Sequence, residues 1–154
     1  MKKIARILPL FTVVAWAITL VLPVLDSGNT IGPRIIVTSL GGQSFDLADV
    51  EPVFLLAWAG VLGCALSVWL LRSLKWWSLA TIVTSGLLCT LFVRMLVDPP
   101  MLMWDGADSQ GNPIGGGEIG EPAIGAVLWG IGIVALFLAG VCGFLSAKSP
   151  KGNR

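Results

Sequence analysis

Residues 70–77, Leu-Leu-Arg-Ser-Leu-Lys-Trp-Trp, form a short basic turn between two long apolar runs. Upstream, residues 52–71 are almost pure hydrocarbon, and downstream, residues 77–97 repeat the pattern. A helix rises about 1.5 Å per residue and a bilayer takes roughly 20 apolar residues to cross, so each run is long enough to span one. So short a link makes the two helices antiparallel neighbours. Arg72 and Lys75 put the turn on the cytoplasmic side, where positive charge is preferentially retained.

The rest of the chain threads from that helical hairpin. Of its 154 residues, 55% are apolar and only 12% charged, with a mean hydropathy of +0.86. Soluble domains carry about 25% charged residues, and a chain this small cannot bury four charge-poor runs in one soluble core. The reading is a single membrane domain over residues 1–154, an all-α bundle of four transmembrane helices at about 4–25, 52–71, 77–97 and 123–147. Outer loops cover 26–51 and 98–122.

Charge supplies the orientation. Lys2, Lys3, Arg6, Arg72, Lys75, Lys148, Lys151 and Arg154 fall at the two termini and the central turn. All nine acids, Asp26, Asp46, Asp49, Glu51, Asp98, Asp105, Asp108, Glu118 and Glu121, fall in the other two connections. Only Arg34 and Arg94 break the division. Both termini are therefore expected in the cytoplasm. The first run resembles a signal peptide, but it exceeds the usual 7–15-residue core and no small-x-small site follows it, so a retained helix is expected. Pro9 and Pro23 sit near its expected ends, where a missing donor costs least.

In the first outer loop, residues 34–40 (Arg-Ile-Ile-Val-Thr-Ser-Leu) and 43–47 (Gln-Ser-Phe-Asp-Leu) flank Gly41-Gly42. That pattern predicts a small β-hairpin. The second outer loop, with Pro99-Pro100 and Gly115-Gly116-Gly117, has too few apolar residues for its own core and is expected to be irregular. Asp105 and Asp108 lack the spacing of a calcium loop. Trp69, Trp76 and Trp77 are expected at the inner interface, Trp104 and Trp129 at the outer one.

Small residues recur at helical spacing. Gly60, Gly63, Cys64 and Ser67 form a stripe on the second helix, and Ser78, Thr81, Ser85 and Cys89 one on the third. Gly132, Ala139 and Gly143 share a face of the fourth. Such faces let helix backbones approach closely in lipid, where no hydrophobic effect separates helix from solvent. The second and third stripes are expected to face each other, and the fourth helix to be the best packed. The charge inside a run is Arg94, one turn from the outer end, with Asp98 four residues on; the pair either snorkels to the headgroups or turns inward to meet an anion.

Missing residue types exclude chemistry. Without histidine there is no bis-histidine haem, no histidine-based zinc site and no Ser-His or Cys-His catalysis. Cys64, Cys89 and Cys142 each lie inside an apolar run and imply no disulfide framework. No phosphate-binding loop is present, and no carboxylate sits inside a helix as proton-coupled exporters require. The layout resembles the claudin-like tetraspan shape, without the Trp and paired Cys of that family's first loop.

The expectation is a non-catalytic accessory or assembly subunit of a larger membrane protein complex, in the plasma membrane of a bacterium. It would bind no cofactor, metal or nucleic acid, and its partners would be the bilayer, other integral membrane proteins and, in some assemblies, further copies of itself. The alternative is a small oligomeric transporter or channel component, or an immunity or stress membrane protein.

Overall fold

Hydropathy alone carries the first helix to Leu25, yet the chain leaves it seven residues earlier. The computed structural model describes residues 2–28, 34–41, 51–71, 73–107 and 110–148. Arg72, Asp46, Asp49, Asp108, Lys151, Arg154 and the run 43–47 lie outside the described residues. Helix α1 is Lys2–Ile18. It closes in a tightened turn in which the Thr19 and Leu20 amides donate to the Trp16 and Ala17 carbonyls. The Thr19 hydroxyl also donates to the Trp16 carbonyl, at 2.6 Å. Pro23 explains the stop, because it has no N–H to extend the ladder and forces Leu22 out of the helical region. Pro9 lies inside α1 rather than near its end.

The apolar residues beyond Pro23 form strand β1 (Leu25–Asp26), which pairs on one side with β2 (Ile36–Val37). On its other side it pairs with β5 (Glu121–Pro122), both antiparallel. The second run of the hairpin expected within residues 34–47 lies outside the described residues; strand β2 pairs with β1, and Gly28, just after β1, takes φ +72°. Arg34, anomalous in the charge pattern, donates through Nε to Asp26 Oδ1 at 2.8 Å and forms an ion pair with it. Asp26 also accepts the Gly28 amide at 2.9 Å. The Arg34 guanidinium, helped by that amide, holds the Asp26 carboxyl below the usual carboxylate range.

Helix α2 (Pro52–Leu70) starts with Pro52 in its first turn, where the absent N–H is no loss. Helix α3 (Leu74–Val97) starts three residues earlier than the apolar run implied, and α4 is Ile124–Lys148. Three helices, 52–70, 74–97 and 124–147, are long and apolar enough to cross a membrane, with mean hydropathies of 2.2, 1.9 and 2.4. Leu56, Leu66, Val83, Leu87 and Val134 stand exposed on them, as a lipid-facing surface requires.

The second outer loop is not irregular. Strand β3 (Met101–Ala107) pairs along its whole length with β4 (Pro113–Ile119), from Met101 opposite Ile119 to Ala107 opposite Pro113. Its turn includes Gly111 at φ +82°, a backbone that favours glycine. Trp104 explains the glycine run: its indole lies over Gly116, where an added Cβ would come within 3.1 Å of the ring. The Trp104 N–H donates to Glu118 Oε1 at 3.2 Å.

Helix α4 is the hub, packing along both α1 and α3, while α2 touches its neighbours less. Glycines allow this. A Cβ on Gly132 would sit 2.7 Å from the Trp16 ring, and one on Gly140 2.7 Å from Ile82 and 3.2 Å from the Ser78 carbonyl. Thr12 donates to the Gly132 carbonyl at 3.0 Å, an interhelical bond sheltered from competing water. The small face of α3 thus meets α4 at Ser78, rather than lying wholly against α2. Two of the five tryptophans expected at interfaces are core residues: Trp77 is 2% exposed and Trp129 1%.

Candidate functional site

At the strand-bearing end of the bundle, α2 and α3 part. Near their connecting turn they are held together: the Trp77 N–H reaches the Cys64 carbonyl at 2.9 Å. Further along, Gly60 lies against Thr84, with 3.2 Å between an added Cβ and the Thr84 methyl. Beyond that contact a cleft of about 280 Å³ opens, bounded by Ala57 and Leu56 on α2 and Leu87 and Leu88 on α3. Val53 and Leu91 line this cleft and also a second space of about 440 Å³ above it, so the two adjoin.

The upper space has an apolar floor of Phe54 and Met95 and a charged rim of Glu51, Arg94 and Asp98. Local structure places all three. Glu51 is the N-cap of α2, with φ −72° and ψ 130°, and its side chain makes no capping bond. Arg94 is in the last turn of α3, and Asp98 is the C-cap, its amide donating to the Arg94 carbonyl at 2.9 Å. All three side chains are exposed, and Arg94 makes no ion pair with Asp98 among the described residues. Among the described residues the rim therefore presents one cation and two carboxylates that form no ion pair, above hydrocarbon walls.

Below the cleft lies an aromatic cluster that also uses Phe54. Trp129 stacks on Phe54 at 5.9 Å between centroids, meets Phe92 edge-on at 5.7 Å and tilts against Trp16 at 4.8 Å. Trp58 meets Trp16 edge-on at 5.6 Å and donates to the Ser39 carbonyl at 3.2 Å. The Trp16 and Trp129 N–H groups and the Ser39 hydroxyl are buried without a partner among the described residues. Nothing but ring packing holds these two indoles.

The remaining sequence-predicted residues are spread over three interfaces. Gly60 meets α3, whereas Gly63 faces open space. Ser67 donates to the Cys64 carbonyl at 3.4 Å, and the buried Ser85 to the Ile82 carbonyl at 2.8 Å. Gly132 lies under Trp16, Ala139 is fully buried, and Gly143 lies against Trp77 and Ser78. Arg94 and Asp98 share the upper space, and Gly60 lines the lower one. Cys64 is buried and Cys89 exposed, and both are free thiols. Among the described residues no group of three or more Cys, Asp or Glu side chains converges as metal ligands would.

Sequence reasoning missed Glu51 and Phe54 as cleft residues. It also missed Trp16 and Trp58, although a signal existed: Trp16, Trp58 and Trp129 lie well inside apolar runs, away from where interfacial tryptophans anchor. No protein family, curated protein or solved structure matches the chain.

Proposed function

We propose that the protein is an accessory or assembly subunit of a larger complex in a bacterial plasma membrane, spanning the bilayer four times with both termini in the cytoplasm. The observation that carries the reading is the β3–β4 hairpin. It packs on itself far more than on the helices, and Met101, Met103 and Ile119 line one face with exposures of 61%, 81% and 51%. A lone two-stranded ribbon is marginal in water, and an apolar face on one is stabilised by a partner. Its free edges offer a partner strand a ready ladder.

Four spans and the orientation rest on two further points. Helix α1 has 17 residues, at the short end of what crosses a bilayer, and follows α4 from Pro23 beside Gly125 to Ala5 near Ala139. Arg6 at its start lies 5.5 Å over the Trp69 ring at the far end of α2, keeping the basic ends together. The alternative of a transporter gains less support, because the cleft bearing Arg94 ends at Gly60 and Thr84 instead of continuing through the bundle.

The test is a mild-detergent pull-down from native membranes through a C-terminal tag, followed by mass spectrometry. A stoichiometric larger complex is expected, and Met103→Asp should weaken it. Recovery of this chain alone would overturn the reading.

A further inference from the structure

We propose that the two adjoining spaces between α2 and α3 together form a binding site for one zwitterionic phospholipid with an ethanolamine headgroup, drawn from the leaflet at the strand-bearing end. The proposal needs the helices to cross a membrane but is independent of any protein partner on the hairpin. Three observations carry it.

The first is length. At about 1.5 Å per residue, the stretch of α3 from Arg94 back to Thr84 covers roughly 15 Å, one leaflet of a hydrocarbon core about 30 Å thick. The upper space has the first of these residues in its lining, and the lower one has the second, where Gly60 approaches it. An acyl chain laid along them ends where Gly60 meets Thr84.

The second is the change in lining. Toward Thr84 the walls are Ala57, Leu56, Leu87 and Leu88, while the mouth alone carries charge. This is the polarity profile of an amphiphile with one charged end.

The third is charge complementarity. Arg94 offers a planar set of donors suited to phosphate oxygens, which accept bidentate bonds from guanidinium. Glu51 and Asp98 offer acceptors for a primary ammonium. Among the described residues the rim has one cation and two carboxylates, so it disfavours a headgroup that is only anionic and matches one carrying both signs. Exposure of all three side chains is what a headgroup-level site requires, since long cationic side chains near a helix end reach for that layer.

The experiment is native mass spectrometry of the purified full chain. Delipidated protein is offered phosphatidylethanolamine or phosphatidylglycerol of identical acyl chains in separate titrations. The expected result is a single retained phosphatidylethanolamine, preferred about tenfold over phosphatidylglycerol, a difference within reach of one charge-assisted contact. Arg94→Gln should reduce retention about tenfold, and Glu51→Gln with Asp98→Asn should erase the headgroup preference while leaving retention measurable. Ala57→Phe, which fills the shaft without touching the rim, should abolish the one-to-one adduct, and a circular-dichroism melt establishes that each variant is folded. Equal retention of both lipids by the wild-type chain, no discrete adduct, or an Arg94→Gln variant that holds lipid as well as the parent would each overturn the proposal.

Discussion

The Trp77 N–H donates to the Cys64 carbonyl at 2.9 Å, joining α3 to α2 just above their connecting turn. Cys64 is inside α2, so its carbonyl accepts the indole N–H in addition to its helical bond and the longer contact from the Ser67 hydroxyl. The bond keeps the bottom of the α2–α3 pair closed while the top opens.

Trp77→Phe should therefore cost about 1 kcal/mol, the usual net worth of such a bond, and lower the melting temperature in detergent. Trp76, next in sequence and 70% exposed, makes no comparable contact. Trp76→Phe should fall within about 0.5 kcal/mol of the parent. Equal effects at both positions would mean that the interhelical bond contributes nothing.

The same substitution should have opposite signs at two helical glycines. At Gly140 an added methyl meets Ile82 at 2.7 Å and two backbone atoms of α3 at 3.2 and 3.3 Å. Gly140→Ala should force α3 and α4 apart at a cost of about 1–3 kcal/mol. Gly63 has nothing within 4 Å, so Gly63→Ala should raise stability by roughly 0.5–1 kcal/mol through lost backbone freedom in the unfolded chain. Thermal melts of the two variants in one detergent read both signs.

The aromatic cluster makes a third contrast. Trp129 is buried with its N–H unpartnered, so Trp129→Phe removes a group that is unfavourable where it stands. The smaller ring loses some contact, and the two effects offset to within about 1 kcal/mol. Trp129→Ala removes the ring against which Trp16, Phe54 and Phe92 pack and should cost about 3–5 kcal/mol. Chemical denaturation of the three proteins checks the order.

Acid should loosen the three-stranded sheet first. The Asp26 carboxyl is held below its ordinary range by Arg34 and the Gly28 amide. A depressed carboxylate contributes stability that is fully present above its unfolded value and is lost as pH falls through the folded one. Protection of the Ser27 amide, bonded to the Ile35 carbonyl, against exchange should fall below about pH 4, where an ordinary aspartate protonates. In Asp26→Asn that amide should exchange faster at neutral pH and lose this acid step.

Much of the bundle was legible from composition and spacing. The basic turn at Arg72–Lys75 marks the α2–α3 helical hairpin, and Pro52 marks the start of α2, because both act through neighbours close in sequence. Glycine spacing on α4 pointed to close packing, and Gly132, Gly140 and Gly143 do lie against other helices. What failed depends on distant partners. An apolar Val24-Leu25 reads as more helix until Val37 and Ala123 arrive to pair with Val24. The run Gly115-Gly116-Gly117 reads as loop until the Trp104 ring is laid over it. At the cleft, Arg94 and Asp98 announced themselves as an i, i+4 pair, but Glu51 comes from another helix and only the fold brings it to the same rim.

The small sheet β2-β1-β5 also imposes an order in time. Its middle strand leaves the ribosome with the first helix, and one flanking strand follows soon after. The other, Glu121–Pro122, is made only when α2, α3 and the β3–β4 hairpin already exist. Until then the far edge of β1 is unpaired, and the Val24 carbonyl and the Pro23 carbonyl wait for Ala123 and Gly125. Long-range pairing of this kind is slow to form, so the N-terminal helix is committed to its final neighbours late in synthesis. Helix α4 is thus the one that locks α1 in place.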